Sequence, residues 1–143
     1  MPRTWVVALI VICIALNGAG FVWHLFEPIP LYDEIAHFLT PFVLVAVLAE
    51  IIYRAGGDDE FFDTRRHAIV TGSVIGLLGA VGWEGIEVVL SAIGVPISNT
   101  LPDSIFDVLL GVVGGAAGAY VADHFLDRLF GRSRMDSNRR RVR

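Results

Sequence analysis

The chain has no lysine and a single cysteine, and it is poor in charge of either sign. All eleven basic residues are arginine, and charged residues make up 18% of a sequence that is 55% hydrophobic. Its mean hydropathy is +0.64. A soluble domain of 143 residues is rarely so apolar. The charges are clumped and leave long uncharged stretches between them, which is the layout of a multi-span membrane protein. The net charge of −4 therefore matters less than where its components fall. Cys13 lies in an apolar run, so an intramolecular disulfide and a cysteine-based metal site are both excluded, leaving a small buried hydrophobe. Also missing are a Ser/His/Asp order, a phosphate-cradling glycine loop between a strand and a helix, any nucleic-acid module and any internal repeat.

What is present is four apolar runs. The first, residues 5–26, is about 22 residues long, enough to cross a ~30 Å hydrocarbon core. Arg3 and the small residues at 17–20 imitate a signal peptide, but the apolar run continues through Phe21, Val22 and Trp23, so it is a span, with Trp5 and Trp23 near its ends. Pro28 and Pro30 break the chain. The second span, 33–53, opens on Asp33 as N-cap and carries Pro41, a kink position. A polar loop follows, and the third span is 68–93. After Pro96, Asn99 and Pro102 the fourth span, 104–122, opens on Asp103, again read as an N-cap. Residues 131–143, with six arginines from Arg132 onward, form a polar tail expected to be disordered.

Arginine gives the orientation. Arg3, Arg54, Arg65, Arg66 and the tail share one side of a four-span arrangement, while the 27–32 and 94–102 connections hold no basic residue. By the positive-inside rule both termini are cytoplasmic. The expectation is an all-α integral membrane protein of the cell (plasma or inner) membrane: a bundle of four transmembrane helices over residues 1–130, N-in and C-in. Gly72/Gly76, Gly111/Gly115 and Gly114/Gly118 have the spacing that lets helices approach closely in lipid. They serve packing within one chain first, with a homo-oligomer as the other use.

Within these spans lie the charges that need an explanation. Trp83-Glu84-Gly85-Ile86-Glu87 sits in the middle of an apolar run, where each carboxylate costs roughly 2.5–3.5 kcal/mol on insertion scales. The topology places His37 and Asp107 one turn below the outer ends of spans two and four, and Glu87 and Glu84 ~10 and ~15 Å below that of span three. Asp33/His37 and Asp103/Asp107 are spaced i, i+4 and Glu84/Glu87 i, i+3, so each pair shares a helix face. Three helices thus aim polar pairs at the outer half of the membrane, and span one adds only Asn17 and His24.

Carboxylates and imidazole on facing helices are how bundle metal sites are built. Oxygen-rich donors with one histidine suit Mg, Mn, Fe or Zn, and a bound ion can activate water against a lipid headgroup or phosphate ester. The same acids could relay protons in a transporter. Plainer readings stand beside these. Asp33 and Asp103 can be caps alone, His37 a hydrogen-bonded interior histidine, Glu34 and Glu50 headgroup contacts, and Asp123, His124 and Asp127 a solvated face. His24 either joins the site or faces water. Glu84 and Glu87 are hardest to explain away.

Asp33-Glu34-Ile35-Ala36-His37-Phe38, Trp83-Glu84-x-x-Glu87 and Asp103-Ser104-Ile105-Phe106-Asp107 with Gly111 resemble, in order and spacing, the pattern of the YjdF-like bacterial and archaeal membrane proteins, which are more distantly similar to VanZ-like proteins. The resemblance covers residues 32–118. Departures are a compact 54–67 loop and Ser104 in place of threonine, neither at an acidic position. It implies a multi-span protein in which the polar positions form a unit, and it names no reaction.

The sequence thus leads to one outward-facing cluster, Asp33, His37, Glu84, Glu87, Asp103 and Asp107, as a divalent-metal site acting on a lipid or envelope substrate. A small proton- or cation-coupled transporter is the first alternative, and a structural or accessory membrane protein whose acids only hydrogen-bond is the second. The lipid bilayer is the expected partner, with a lipid or small-molecule substrate and no nucleic acid.

Overall fold

Each apolar run becomes a helix. The computed structural model describes residues 2–26, 28–54, 64–95 and 100–122. The 131–143 tail, the polar connection with Asp58, Asp59 and Glu60, Glu27, Pro96, Asn99, and Asp123, His124 and Asp127 lie outside the described residues, as do the side chains of Arg3, Trp5 and Glu50. The elements are α1 (Pro2–Trp23), α2 (Tyr32–Arg54), α3 (Arg65–Ala92) and α4 (Leu101–Val121), with no strand among the described residues. All four helices are long and apolar enough to cross a bilayer. Their outer faces expose Ile14, Leu78, Val88, Leu109 and Val113. In water such apolar surface is a liability, whereas facing lipid it is ordinary.

The ends differ from the sequence expectation in instructive ways. α3 starts three residues early because Thr64 caps it, its hydroxyl accepting from the His67 N–H at 3.2 Å. α4 is likewise capped by Thr100, which accepts from the Asp103 N–H at 3.4 Å. Asp103 is therefore not the N-cap but a first-turn residue, as Asp33 is in α2. Threonine caps and first-turn acids both satisfy the helix N-terminus, and sequence alone does not say which does what. α2 runs unbroken through Pro41. Having no N–H, Pro41 takes away the helical donor of the His37 carbonyl. α1 closes with His24 left-handed at φ 52° and Leu25 N–H reaching back to the Gly20 carbonyl at 3.0 Å. α3 closes the same way, with Gly94 at φ 91° and Val95 N–H on the Leu90 carbonyl at 3.1 Å. Both have the pattern of a Schellman cap.

α4 is the central element, packed on both α2 and α3, while α1 leans on α2. Two glycine stripes make this geometry. A methyl group on Gly72, Gly76, Gly111 or Gly115 would strike the opposing α3 or α4, and one on Gly114 or Gly118 would strike the Phe38 or Phe42 carbonyl of α2. α4 thus runs antiparallel to α3 on one stripe and parallel to α2 on the other. These glycines are spent on packing within the chain, the first of the two uses their spacing allowed. One half of the bundle is filled by small residues, Val45, Ala68 and Ala119 in one group and Ala46, Ala49 and Ala122 in another. Arg54, Arg65 and Arg66 mark that end, where the Arg65 guanidinium lies 5.5 Å from the Tyr120 ring centroid. The polar residues occupy the other end.

Candidate metal centre

Because α2 and α4 run parallel and α3 runs against them, the starts of α2 and α4 meet the last third of α3. His37, one turn into α2, is the hub. Its Nε2 lies 3.4 Å from Asp33 Oδ1 on the turn above and 4.0 Å from Asp107 Oδ2 across on α4. His37, Glu87 and Asp107 are all buried, Asp107 almost completely at 2% exposure. Asp107 Oδ2 is buried without a hydrogen-bond partner among the described residues. A carboxylate oxygen sealed in that way is costly unless something positive meets it.

Two sets of potential ligand atoms share His37. Asp33, His37 and Asp107 offer one, and His37, Glu84 and Glu87 offer the other; within each set the donor atoms lie within 4.8 Å of one another. Five of the six candidate residues are therefore brought together. The sixth, Asp103, lies on the exposed side of the first turn of α4 and belongs to neither set. His24 is exposed at the end of α1 and stays outside as well.

The surroundings add residues that sequence reasoning passed over as site members. The Trp83 indole Nε1–H donates to Glu87 Oε1 at 2.8 Å. The i, i+4 spacing of Trp83 and Glu87 was the available signal. Trp83 also stands edge-on to Phe21 (5.7 Å between centroids), Phe21 to Phe26 (5.3 Å) and Phe26 to Tyr32 (5.6 Å), an aromatic chain joining α3 to α1 and the start of α2. Asn17 of α1 gives its amide to the Cys13 carbonyl and the Thr40 hydroxyl, each at 2.9 Å. A cavity of about 290 Å³ runs down from Asp33 and His37 between α1, α2 and α3.

A family model described as "Predicted membrane protein (DUF2238)" matches residues 2–128, nearly the whole chain and every helix. The chain belongs to the DUF2238 family. DUF2238 is a family of predicted membrane proteins, in agreement with the four apolar helices, and its name carries no activity. No curated protein and no solved structure matches this DUF2238 chain. In this DUF2238 member the chemistry has to be argued from the cluster itself.

That chemistry fits a hard or borderline divalent cation. Four carboxylates and one imidazole are an oxygen-rich donor set with a single nitrogen ligand. Their sum of negative charge at bilayer depth asks for a positive partner, and Asp107 Oδ2, which has no hydrogen-bond partner among the described residues, lies 4.0 Å from His37 Nε2. The Trp83–Glu87 bond has the form of an outer-shell contact that fixes a ligating carboxylate.

Proposed function

We propose that Asp33, His37, Glu84, Glu87 and Asp107 hold a divalent cation, and that the protein uses it on a lipid or envelope substrate at the outer face of the cell membrane. The observation that supports this most is the buried Asp107 carboxylate, with an oxygen that has no hydrogen-bond donor and lies 4.0 Å from His37 Nε2. Asp33, His37 and Asp107 are the core of the ligand set, and Glu84 and Glu87 complete it from α3. When bound, the ion supplies Lewis-acid polarisation of an ester or phosphate-ester oxygen. The chain's own part is to keep the carboxylates aimed inward, through Trp83 on Glu87 and the shared histidine between Asp33 and Asp107.

The orientation belongs to the same proposal. The arginine-bearing end faces the cytoplasm, with residues 1–130 as one membrane domain and 131–143 as a cytoplasmic tail that meets anionic headgroups. The likeness to the YjdF-like and VanZ-like patterns implies a multi-span protein and adds no reaction. Transport through a single chain is the weaker reading. The half of the bundle beyond the cluster is closed by Val45, Ala68, Ala119 and the Ala46, Ala49, Ala122 group, so protons or ions leaving the cluster meet an apolar plug.

Elemental analysis by mass spectrometry of detergent-purified protein tests the reading. Wild type carries a stoichiometric divalent metal, and the Glu84→Gln/Glu87→Gln variant loses it. Metal-free wild type that takes up none on incubation returns the cluster to a purely structural hydrogen-bond network.

A further inference from the structure

The cavity beside the cluster has a shape and a polarity of its own. Asp33 and His37 line its polar end; Pro41, Leu44, Val45, Ile75, Gly79 and Ala80 line the apolar part. From Asp33 to Val45 is twelve residues of helix, about 18 Å. That is close to one leaflet's share, about 15 Å, of a ~30 Å hydrocarbon core. A cavity of about 290 Å³ is far too small for a helix of about 10–12 Å diameter over that length. Water has little to hold it there, since a cavity wets only where polar partners converge. The two polar side chains in the wall, Asn17 and Thr40, are bonded to each other at 2.9 Å, and the second Asn17 bond goes to the Cys13 carbonyl. The gradient is that of an amphiphile, charged donors at the level of the headgroups and an apolar slot below.

We infer that this slot takes one hydrocarbon chain of an outer-leaflet membrane lipid, with the lipid's polar head over Asp33 and His37. The inference deepens the reading of the cluster as a metal centre acting on lipid, and rests on it for what happens at the head. Gly79 lines the slot. A methyl group built on Gly79 meets no atom within 4 Å, so the space beside it is open. A larger side chain there fills the slot without touching the packing of α4, which uses Gly72 and Gly76. It also replaces a residue of low helix propensity by a better one.

The test uses full-length protein in vesicles of phosphatidylcholine doped with a phosphatidylcholine that carries a mid-chain diazirine. After photolysis, labelled peptides are mapped and metal content is measured on the same samples. Labelling is expected to concentrate on the cavity-lining Val45 and Ile75 over the lipid-facing Leu109 and Val113. It is lost from the first two in Gly79→Leu and retained in Gly79→Ala, with metal content equal in all three proteins. Labelling spread evenly over cavity and outer faces, or unmoved by Gly79→Leu, overturns the slot even if metal is present. Concentrated labelling in protein that binds no metal keeps the slot and removes the metal reading.

Discussion

At the scale of single residues the cluster is a problem in charge compensation. Asp107 is sealed from solvent by α2 and α3, His37 stands between it and Asp33, and Glu87 is tied to Trp83. Each contact has a testable consequence, and Trp83 is the most informative because it touches a proposed ligand without being one. Trp83→Phe keeps the ring and removes the N–H that holds Glu87 Oε1. Loss of such an outer-shell partner typically costs about 10- to 100-fold in metal affinity. That loss is expected in a competition titration with a metal indicator, with the helical signal unchanged. Asp103→Asn is the matched control and leaves affinity unmoved, since Asp103 sits outside both ligand sets. Much of this was legible beforehand. Carboxylates at i, i+3 and i, i+4 inside apolar runs must share faces, and the parity of the spans puts those faces at one depth. The structure sets Asp103 apart from both groups, and spacing alone cannot tell the inward side of a first turn from the outward side. The pairing of Trp83 with Glu87 was in reach by the same i, i+4 logic. It was not singled out because tryptophan in a span is more often an interfacial anchor.

At the scale of the helix, glycine decides which surfaces meet. α4 carries two stripes, Gly111/Gly115 against α3 and Gly114/Gly118 against α2, and with no hydrophobic force between helices in lipid this close approach is the source of cohesion. The stripes were visible in the sequence, and so was their use within one chain. Which stripe meets which helix was not, because spacing defines a face and says nothing of its partner. Gly114→Ala places a methyl on the Phe38 carbonyl, which must move or be pushed off α4. Such overpacking typically costs about 1–3 kcal/mol. Because Phe38 follows His37, the strain also loosens the cluster. Gly82→Ala, on a face of α3 where a methyl meets nothing, is expected to be neutral or to stabilise by roughly 0.5–1 kcal/mol. Thermal unfolding in one detergent, followed by the helical signal, separates the two. Equal midpoints would mean that the α2–α4 contact does not bear on stability.

At the scale of the whole molecule the two ends of the bundle are chemically opposite. One carries the starts of α2 and α4 with the acids; the other carries the end of α2 and the start of α3 with Arg54, Arg65 and Arg66. Under the proposed orientation, read from the positive-inside rule, the arginines face the cytoplasm and the cluster the outside. The direction decides which lipids the cluster can reach, because only one leaflet is level with Asp33 and His37. The lone Cys13 makes the direction measurable, since Cys13→Ala leaves a chain with no thiol. Its Sγ makes long 3.8 Å contacts with the Thr40 hydroxyl and the Asn17 amide, so little is disturbed. Into that background Ile29→Cys places a thiol on the exposed connection at the cluster end, and Arg66→Cys one on the exposed start of α3. In intact cells a membrane-impermeant maleimide is expected to label position 29 and spare position 66, with both labelled after permeabilisation. The reverse pattern would put the cluster on the cytoplasmic side, and its lipid would then come from the inner leaflet. Labelling of both positions in intact cells would mean two orientations in one membrane, and arginine placement would no longer be the controlling charge.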